Sequence, residues 1–436
     1  MDTPLNQHAP VNQGASTTQP TLLPRNVTAL ASGALDRFPI LAIQGARRVG
    51  KSTLATMLVA DRPHVIASLD DEEQATLARQ DPRGFLAQRG NATLVIDEVQ
   101  RVPELILAVK HEVDRSGDLG NFILTGSSNI TSSRRIPDSL AGRAITIRLG
   151  GLSQGEMAGV REDFVTRACR GFEEAAAESS WTREDYVDAV AAGGYPELRR
   201  LDGQWRALWA DSYLDRLTSR DILDAGGNVA APRVRAILGL VAANQAGELV
   251  KARLAAAADI SERSVTTCLD ALRSLHVTSA IPPWTANLTK RQIGRPKALV
   301  TDSGLATHLA GVEIDLLKRE LGRTTLGPFM EGFVMAELLK QRTWSSTRWD
   351  LAHFRDRNGL EVDGVIQLAD GRIILLEIKA TQTYRSEHFA AMKNLQASLG
   401  DRLVAGVVLT LSDHSYRYAD KLWGLPISAL WAPTSP

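Results

Sequence analysis

The stretch Gly45-Ala46-Arg47-Arg48-Val49-Gly50-Lys51-Ser52-Thr53 constrains this chain more than any other. An apolar run, Phe38 to Gln44, precedes it and reads as a buried strand. Leu54 to Val59 follows and reads as a helix. Strand, glycine loop, lysine, hydroxyl and helix together make the context of a phosphate-binding loop. Glycine lets backbone N–H groups turn inward with no Cβ in the way, and the helix N-terminus adds its own donors for phosphate oxygens. The spacing predicts that Gly45 to Thr53 cradle a nucleoside triphosphate, with Lys51 on its terminal phosphates and Ser52 on Mg²⁺.

Around this loop, from about residue 25 to 150, short apolar runs alternate with helical stretches. The runs are Ile40–Gln44, His64–Leu69, Thr93–Val99, Asn121–Thr125 and Ala144–Leu149. Runs this short and this uniformly apolar predict a parallel sheet covered on both faces. Ligands of such sheets sit beyond the carboxyl ends of the strands. Thr93 to Glu98 is a strand that ends in two acids there. Asp97 is expected beside the Mg²⁺, and Glu98 as the general base that polarises the attacking water. A third strand ends in Thr125-Gly126-Ser127-Ser128-Asn129, a set of hydroxyls and an amide able to sense the γ-phosphate. The choice among Thr125, Ser127, Ser128 and Asn129 stays open. Arg143, just before the last strand, is read either as an arginine finger or as a surface salt bridge; a finger from a neighbouring subunit requires an oligomer.

The rest of the chain falls into four pieces. Residues 1–24, rich in Gln, Asn, Thr, Pro and Ser, read as a disordered tail. Residues 151–230 are helical in pattern, broken at Gly193-Gly194-Tyr195-Pro196, and read as a lid over bound nucleotide or as a plain spacer. In residues 231–315 two helices flank the turn Asp259-Ile260-Ser261-Glu262, capped by Ser261 or Asp259. With a β-wing after them they form a winged helix-turn-helix. Lys290, Arg291, Arg295 and Lys297 fall in the wing, where they would contact DNA phosphates. Against DNA, the second helix exposes mostly Ser and Thr, and the same fold serves as an interaction module.

Residues 316–436 carry a separate constellation. Phe329 to Leu339 reads as an amphipathic helix, His353 to Ile366 as a hairpin turning at Arg357-Asn358-Gly359, and Arg372 to Ala380 as a central strand. The strand period of two puts Glu377 and Lys379 on one side. Glu331, Asp363, Glu377 and Lys379 resemble the core of restriction-endonuclease-like folds. In that reading Asp363 and Glu377 bind Mg²⁺ or Mn²⁺, Lys379 stabilises charge or helps activate water, and Glu331 completes the cluster. The alternative is a salt-bridged strand face in a fold that serves only assembly or nucleic-acid contact.

The chain as a whole resembles the bacterial and archaeal AAA-type ATPases that carry, at their C-terminus, the domain of unknown function 4143. Gly45–Thr53, Leu94–Glu98, Leu124–Asn129 and Leu140-Ala141-Gly142-Arg143 carry the resemblance. So do Leu152-Ser153-Gln154-Gly155-Glu156, Gly193-Gly194-Tyr195-Pro196-Glu197 and Tyr213 with Arg220-Asp221-Ile222. The family often has Thr where this chain has Ser52; either hydroxyl can hold Mg²⁺. The resemblance implies ATP as ligand, a core of five parallel strands, and hydrolytic roles for Asp97 and Glu98.

Bulk composition adds limits. The 436 residues suffice for about three domains. Lys plus Arg and Asp plus Glu are 50 each, so a DNA contact must come from a local patch. Cys169 and Cys268 show no metal spacing and fit a reducing compartment. With no apolar run of membrane-spanning length and no signal pattern, the expectation is a cytoplasmic protein off the membrane, and the arginine-finger reading of Arg143 adds the expectation of a homo-oligomer.

Overall fold

A computed structural model describes residues 22–128, 140–172, 178–285, 294–319 and 323–433. Asn129, Lys290, Arg291 and nearly all of the expected tail lie outside the described residues. Five parallel strands form the first sheet: β1 (Ile40–Gln44), β2 (His64–Ser68), β3 (Thr93–Asp97), β4 (Phe122–Gly126) and β5 (Ala144–Arg148). Their order is β2-β3-β4-β1-β5. Side chains alternate between two apolar layers: Leu41, Ile43, Val95, Ile123 and Ile147 face one core, and Ile40, Leu94, Ile96, Phe122 and Leu124 the other. Burial on both faces is why β1, β3 and β4 read as unbroken apolar runs, whereas the edge strands β2 and β5 leave Ile66 and Ile145 exposed. Helix α1 (Thr28–Leu35) packs beside β1, and α2 (Lys51–Val59) leaves the glycine loop.

Farther along, β6 (Gly247–Glu248), β7 (Thr278–Ile281) and β8 (Lys297–Val300) make a small antiparallel sheet with β8 in the middle. Between β6 and β7 run α3 (Lys251–Ala258) and α4 (Glu262–Ser274). Ser261 is the N-cap of α4, its side chain accepting from Ser264 N at 3.1 Å, whereas Asp259 closes α3 in a left-handed conformation. Val265, Cys268, Leu269 and Leu272 are the buried stripe of α4.

The third sheet is mixed, in the order β13-β14-β12-β11-β10-β9. Its strands are β9 (Trp349–Arg355), β10 (Glu361–Leu368), β11 (Ile373–Lys379), β12 (Leu403–Thr410), β13 (Tyr416–Ala419) and β14 (Leu422–Pro426). Helix α5 (Arg323–Gln341) crosses one face, and α6 (Ala390–Leu399) covers the other. Leu351, Ile366, Leu376 and Val407 on the α5 face share one continuous apolar core with Leu41 and Ile43 of the first sheet. Both sheets therefore bury apolar side chains in one shared interior, at about 25 cal/mol for each Å² removed from water. Among the described residues, no helix is long and apolar enough to cross a membrane.

Candidate functional site

The glycine loop is built by close approach. A Cβ on Gly45 would meet the Leu149 backbone oxygen at 2.1 Å, so only glycine lets the loop leave β1 against the end of β5. Gly50, at φ 95°, turns the chain into α2. Lys51 is 4 % exposed, and its Nζ donates to Ala46 O at 3.0 Å. Burial lowers its pKa, against the opposing pull of Glu98 and Asp97. A lysine in that position gains most from an added anion.

Beside it the ends of β3 and β4 interlock. Ser52 Oγ donates to Asp97 Oδ1 at 2.7 Å, and Thr125 Oγ1 also donates to Asp97 Oδ1. Glu98 N donates to Thr125 Oγ1 at 3.2 Å. The Glu98 carboxylate accepts from Ser127 Oγ at 3.2 Å and from Gln100 Nε2. Glu98 sits at φ 56°, in the left-handed region. That conformation costs a non-glycine residue about 1 kcal/mol and is concentrated at functional sites. The structure thus brings Lys51, Ser52, Asp97, Glu98, Thr125 and Ser127 together. Ser52 and Asp97 offer a hydroxyl and a carboxylate oxygen at one spot, the donor types Mg²⁺ takes.

Arg143 is not brought to this group. It precedes β5 at the amino end of the sheet, its backbone oxygen accepting from Ile40 N, and its guanidinium pairs with Asp114. The loop lies at the carboxyl end of the same strands.

Four partners of the loop, Arg25, Asp70, Glu197 and Asp221, carried no assigned role in the sequence. Arg25, 7 % exposed, donates to Val49 O at 2.9 Å and to Gly150 O at 2.9 Å, and its Nε pairs with Glu156 at 3.0 Å. Arg47 lies 3.9 Å from Asp221 and 3.6 Å from Asp70; Arg48 pairs with Glu197 at 3.1 Å. Asp221 closes a π-helical turn, Leu217–Asp221, of the kind enriched at functional sites. Burial raises its pKa and Arg47 opposes the rise. Glu197 and Asp221 stood in motifs that carried the family resemblance without a role; Arg25 gave no local signal.

The Leu152–Glu156 motif ties these parts to the C-terminal half. Ser153 and Glu156 form a reciprocal helix cap. Gln154 N donates to Glu337 of α5 at 2.8 Å, and Lys340 on the same helix pairs with Glu337 at 2.6 Å. Nearby Glu162, buried among these acids, is pushed up to about 8 by desolvation.

The second constellation also converges. Glu377 pairs with Lys379 at 2.5 Å, and Asp363 Oδ2 accepts from Ile378 N at 2.8 Å. Glu331 and Asp363 meet at Lys297 Nζ, at 2.7 and 3.7 Å, with Glu361 at 2.9 Å. Burial, with the Asp363 charge behind it, raises Glu331 to about 8, and Lys297 pulls against that. Here the wing reading needs correcting: Lys297 is 3 % exposed and paired with carboxylates, so it cannot reach a DNA phosphate, although Arg295 is exposed. A metal on Asp363 and Glu377 would have to share these acids with two ammonium groups and a backbone N–H, while Glu377 Oε2 is left without a partner. Among the described residues, no group of three or more His, Cys, Asp or Glu is disposed to hold a metal ion.

A glycine loop opening a helix, on a five-stranded parallel sheet with an acid-ended strand in reach, defines a P-loop nucleoside triphosphatase fold. Residues 37–158 match the family described as AAA domain, and residues 326–430 match the domain of unknown function 4143. The chain is an AAA-type ATP-binding protein carrying that C-terminal domain. Between them, residues 183–315 match a further domain of unknown function, 8612. Two uncharacterised mycobacterial proteins, Rv2008c of Mycobacterium tuberculosis and Mb2031c of Mycobacterium bovis, are each 27 % identical over 404 residues. The alignments cover 92 % of this chain and 83 % of theirs. Among solved structures, the Walker-type ATPase PABY2304 of Pyrococcus abyssi is 18 % identical over 66 % of this chain and 96 % of its own, with a TM-score of 0.41. The RuvB Holliday junction branch migration motor of Thermotoga maritima is 17 % identical over 62 % of this chain and 89 % of its own, at 0.26.

Proposed function

We propose that this protein is a Mg²⁺-dependent ATPase whose nucleotide state acts on its C-terminal half, which engages DNA or a protein partner without cutting. In this reading the loop residues and Lys51 bind the triphosphate, Ser52 and Asp97 hold the ion, and Glu98 takes the proton of the attacking water. Bound Mg²⁺ supplies charge neutralisation on the phosphates. Thr125 and Ser127 position the two acids. Arg143 faces away from its own loop, so its finger role falls to an adjacent subunit of an oligomer.

The observation that carries the reading is the path from Val49 O through Arg25 and Glu156 to the Leu152–Glu156 motif, and on through Gln154 N to Glu337 on α5. Helix α5 also bears Glu331, six residues earlier, about 9 Å along the axis at roughly 1.5 Å per residue. One rigid helix therefore touches the loop's support at one place and the C-terminal acids at another. Residues 231–315 are read as a winged helix, 151–230 as the lid and 316–436 as the restriction-endonuclease-like piece. The last turn of α4, with Asp270 and Arg273, borders a cleft of about 1290 Å³ whose other charged lining is Arg37, Arg148, Asp302, Lys340 and Arg342, cations in excess. Such a lining suits an anionic partner.

ATP hydrolysis measured with and without DNA tests the reading, with the DNA then examined for cleavage. Turnover that needs Mg²⁺ and DNA left intact is expected; no turnover under either condition overturns it. A second reading, metal-dependent DNA cleavage, draws on the convergence of Glu331, Asp363, Glu377 and Lys379. Cutting that disappears in Asp363→Ala selects it.

A further inference from the structure

The cluster at the edge of the C-terminal sheet has the residue types of a metal-dependent nuclease and the wiring of something else. An ammonium has three N–H donors. Lys297 Nζ meets three carboxylates: Glu331 at 2.7 Å, Glu361 at 2.9 Å and Asp363 at 3.7 Å. Divalent cations take oxygen ligands at about 2.0–2.6 Å. An ion drawn to the same three acids would compete with the ammonium for the space between them. We propose that Lys297 is the resident cation of this cluster: an ammonium supplied by the three-stranded sheet replaces a divalent ion, locks that sheet to the C-terminal one, and keeps the acids from cutting.

The rest of the geometry fits a fixed lock better than a passing contact. Lys297 lies in the central strand β8, paired to Glu248 on one side and Ile281 on the other. Its side chain is 4 % exposed. A charge so buried could not be left there without a countercharge. Both flanks of the contact are stitched. His353 of β9 donates its N–H to Pro282 O at 3.0 Å, and its ring nitrogen Nε2 hydrogen-bonds Arg295 O at 3.1 Å. Arg355 lies 3.7 Å from both Glu248 and Glu361. The remaining acid oxygens are mostly engaged: Glu377 by Lys379, and Asp363 Oδ2 by Ile378 N. Glu377 Oε2 has no partner and Asp363 Oδ1 faces Lys297 Nζ at 3.7 Å, so these are the oxygens an incoming ion would find once the ammonium is removed. This assignment stands on the C-terminal contacts alone and does not depend on ATP hydrolysis.

Mn²⁺ binding to the full chain without nucleotide, followed by electron paramagnetic resonance or calorimetry, tests it. Subtracting the Asp363→Asn variant isolates this cluster from the P-loop. The wild type is expected to show no Asp363-dependent Mn²⁺ site. Lys297→Gln is expected to gain one, bound at least tenfold more tightly than anything the wild type shows there, and Lys297→Arg to stay silent. Lys297→Gln combined with Glu361→Gln covers the case in which the single variant does not fold, because it removes a carboxylate together with the cation. If neither folds while Lys297→Arg does, the cation is needed for assembly and the lock stands. An Asp363-dependent Mn²⁺ site in the wild type as tight as in Lys297→Gln overturns the proposal. So does a folded Lys297→Gln that gains none.

Discussion

Lys51 and Lys297 are both buried lysines set near carboxylates, and their electrostatic situations are opposite. Lys51 bonds to a backbone carbonyl, and burial lowers its pKa. Its neighbours Asp97 and Glu98 are held by Ser52, Thr125, Ser127 and Gln100, all uncharged groups. Lys297 is closed in by three acids, which raise its pKa against the burial that lowers it. Two regions with nearly the same residue types therefore differ in whether the charges have already found each other. Acids held by hydroxyls keep their charge available to an incoming cation; acids held by an ammonium have spent it. At the P-loop end the acids are held by neutral groups; at the C-terminal end they face ammonium groups, with Glu377 Oε2 left unpartnered.

Several substitutions break or sharpen this contrast. Lys51→Ala is expected to abolish ATP turnover, read as phosphate release; full activity would end the claim that this lysine awaits an anion. Arg143→Ala should cut turnover about 10³-fold if a subunit supplies it in trans, and mixing that variant with Lys51→Ala protein should restore activity. Failure of the mixture to recover removes the finger role. Glu98→Gln keeps the hydroxyl contacts but not the basicity, so turnover should fall about 10²-fold while nucleotide stays bound, as filter binding would show.

Smaller effects are expected in the support behind the loop. Arg25 and Glu156 are a buried pair. Arg25→Met leaves Glu156 without its cation and should cost about 3 kcal/mol, read from the urea midpoint. An unchanged midpoint would mean that Arg25 does not anchor the loop. For Glu162 the sign follows from its raised pKa. The unfolded carboxyl ionises near 4.5 while the folded one holds its proton to about 8. Its stabilising contribution is thus whole below the unfolded value and is lost across that window as pH rises, at up to about 1.4 kcal/mol per unit. Glu162→Gln should flatten that slope in melts taken from about pH 5 to 8.

Much of this was legible because it is local. The glycine loop, its lysine and hydroxyl, and the two acids ending β3 are short patterns whose geometry follows from strand and helix periods. The five short apolar runs became the five parallel strands, with boundaries off by a residue or two. What could not be read is what pairs across the chain. Arg25 finds Glu156, and Lys297 finds Glu331, Glu361 and Asp363, only after distant segments have packed. A lysine among wing cations gives no sign of facing inward. Glu377 and Lys379 were readable as neighbours from strand alternation, and Glu331 and Asp363 joined them only through the resemblance to restriction-endonuclease-like folds. Their countercharge came from another sheet, where no periodicity points.

The Arg25 anchor also bears on how the ATP-binding part relates to its surroundings. Its guanidinium comes from ahead of the first strand, its carboxylate from beyond the last, and the neighbouring acid from a helix near the far end of the polypeptide. A fragment trimmed to the parallel sheet alone would lose the braces on its own nucleotide loop. The nucleotide-binding portion is accordingly not a portable cassette, and recombination that swapped only its C-terminal companion would have to replace Glu337 and Lys340 in kind.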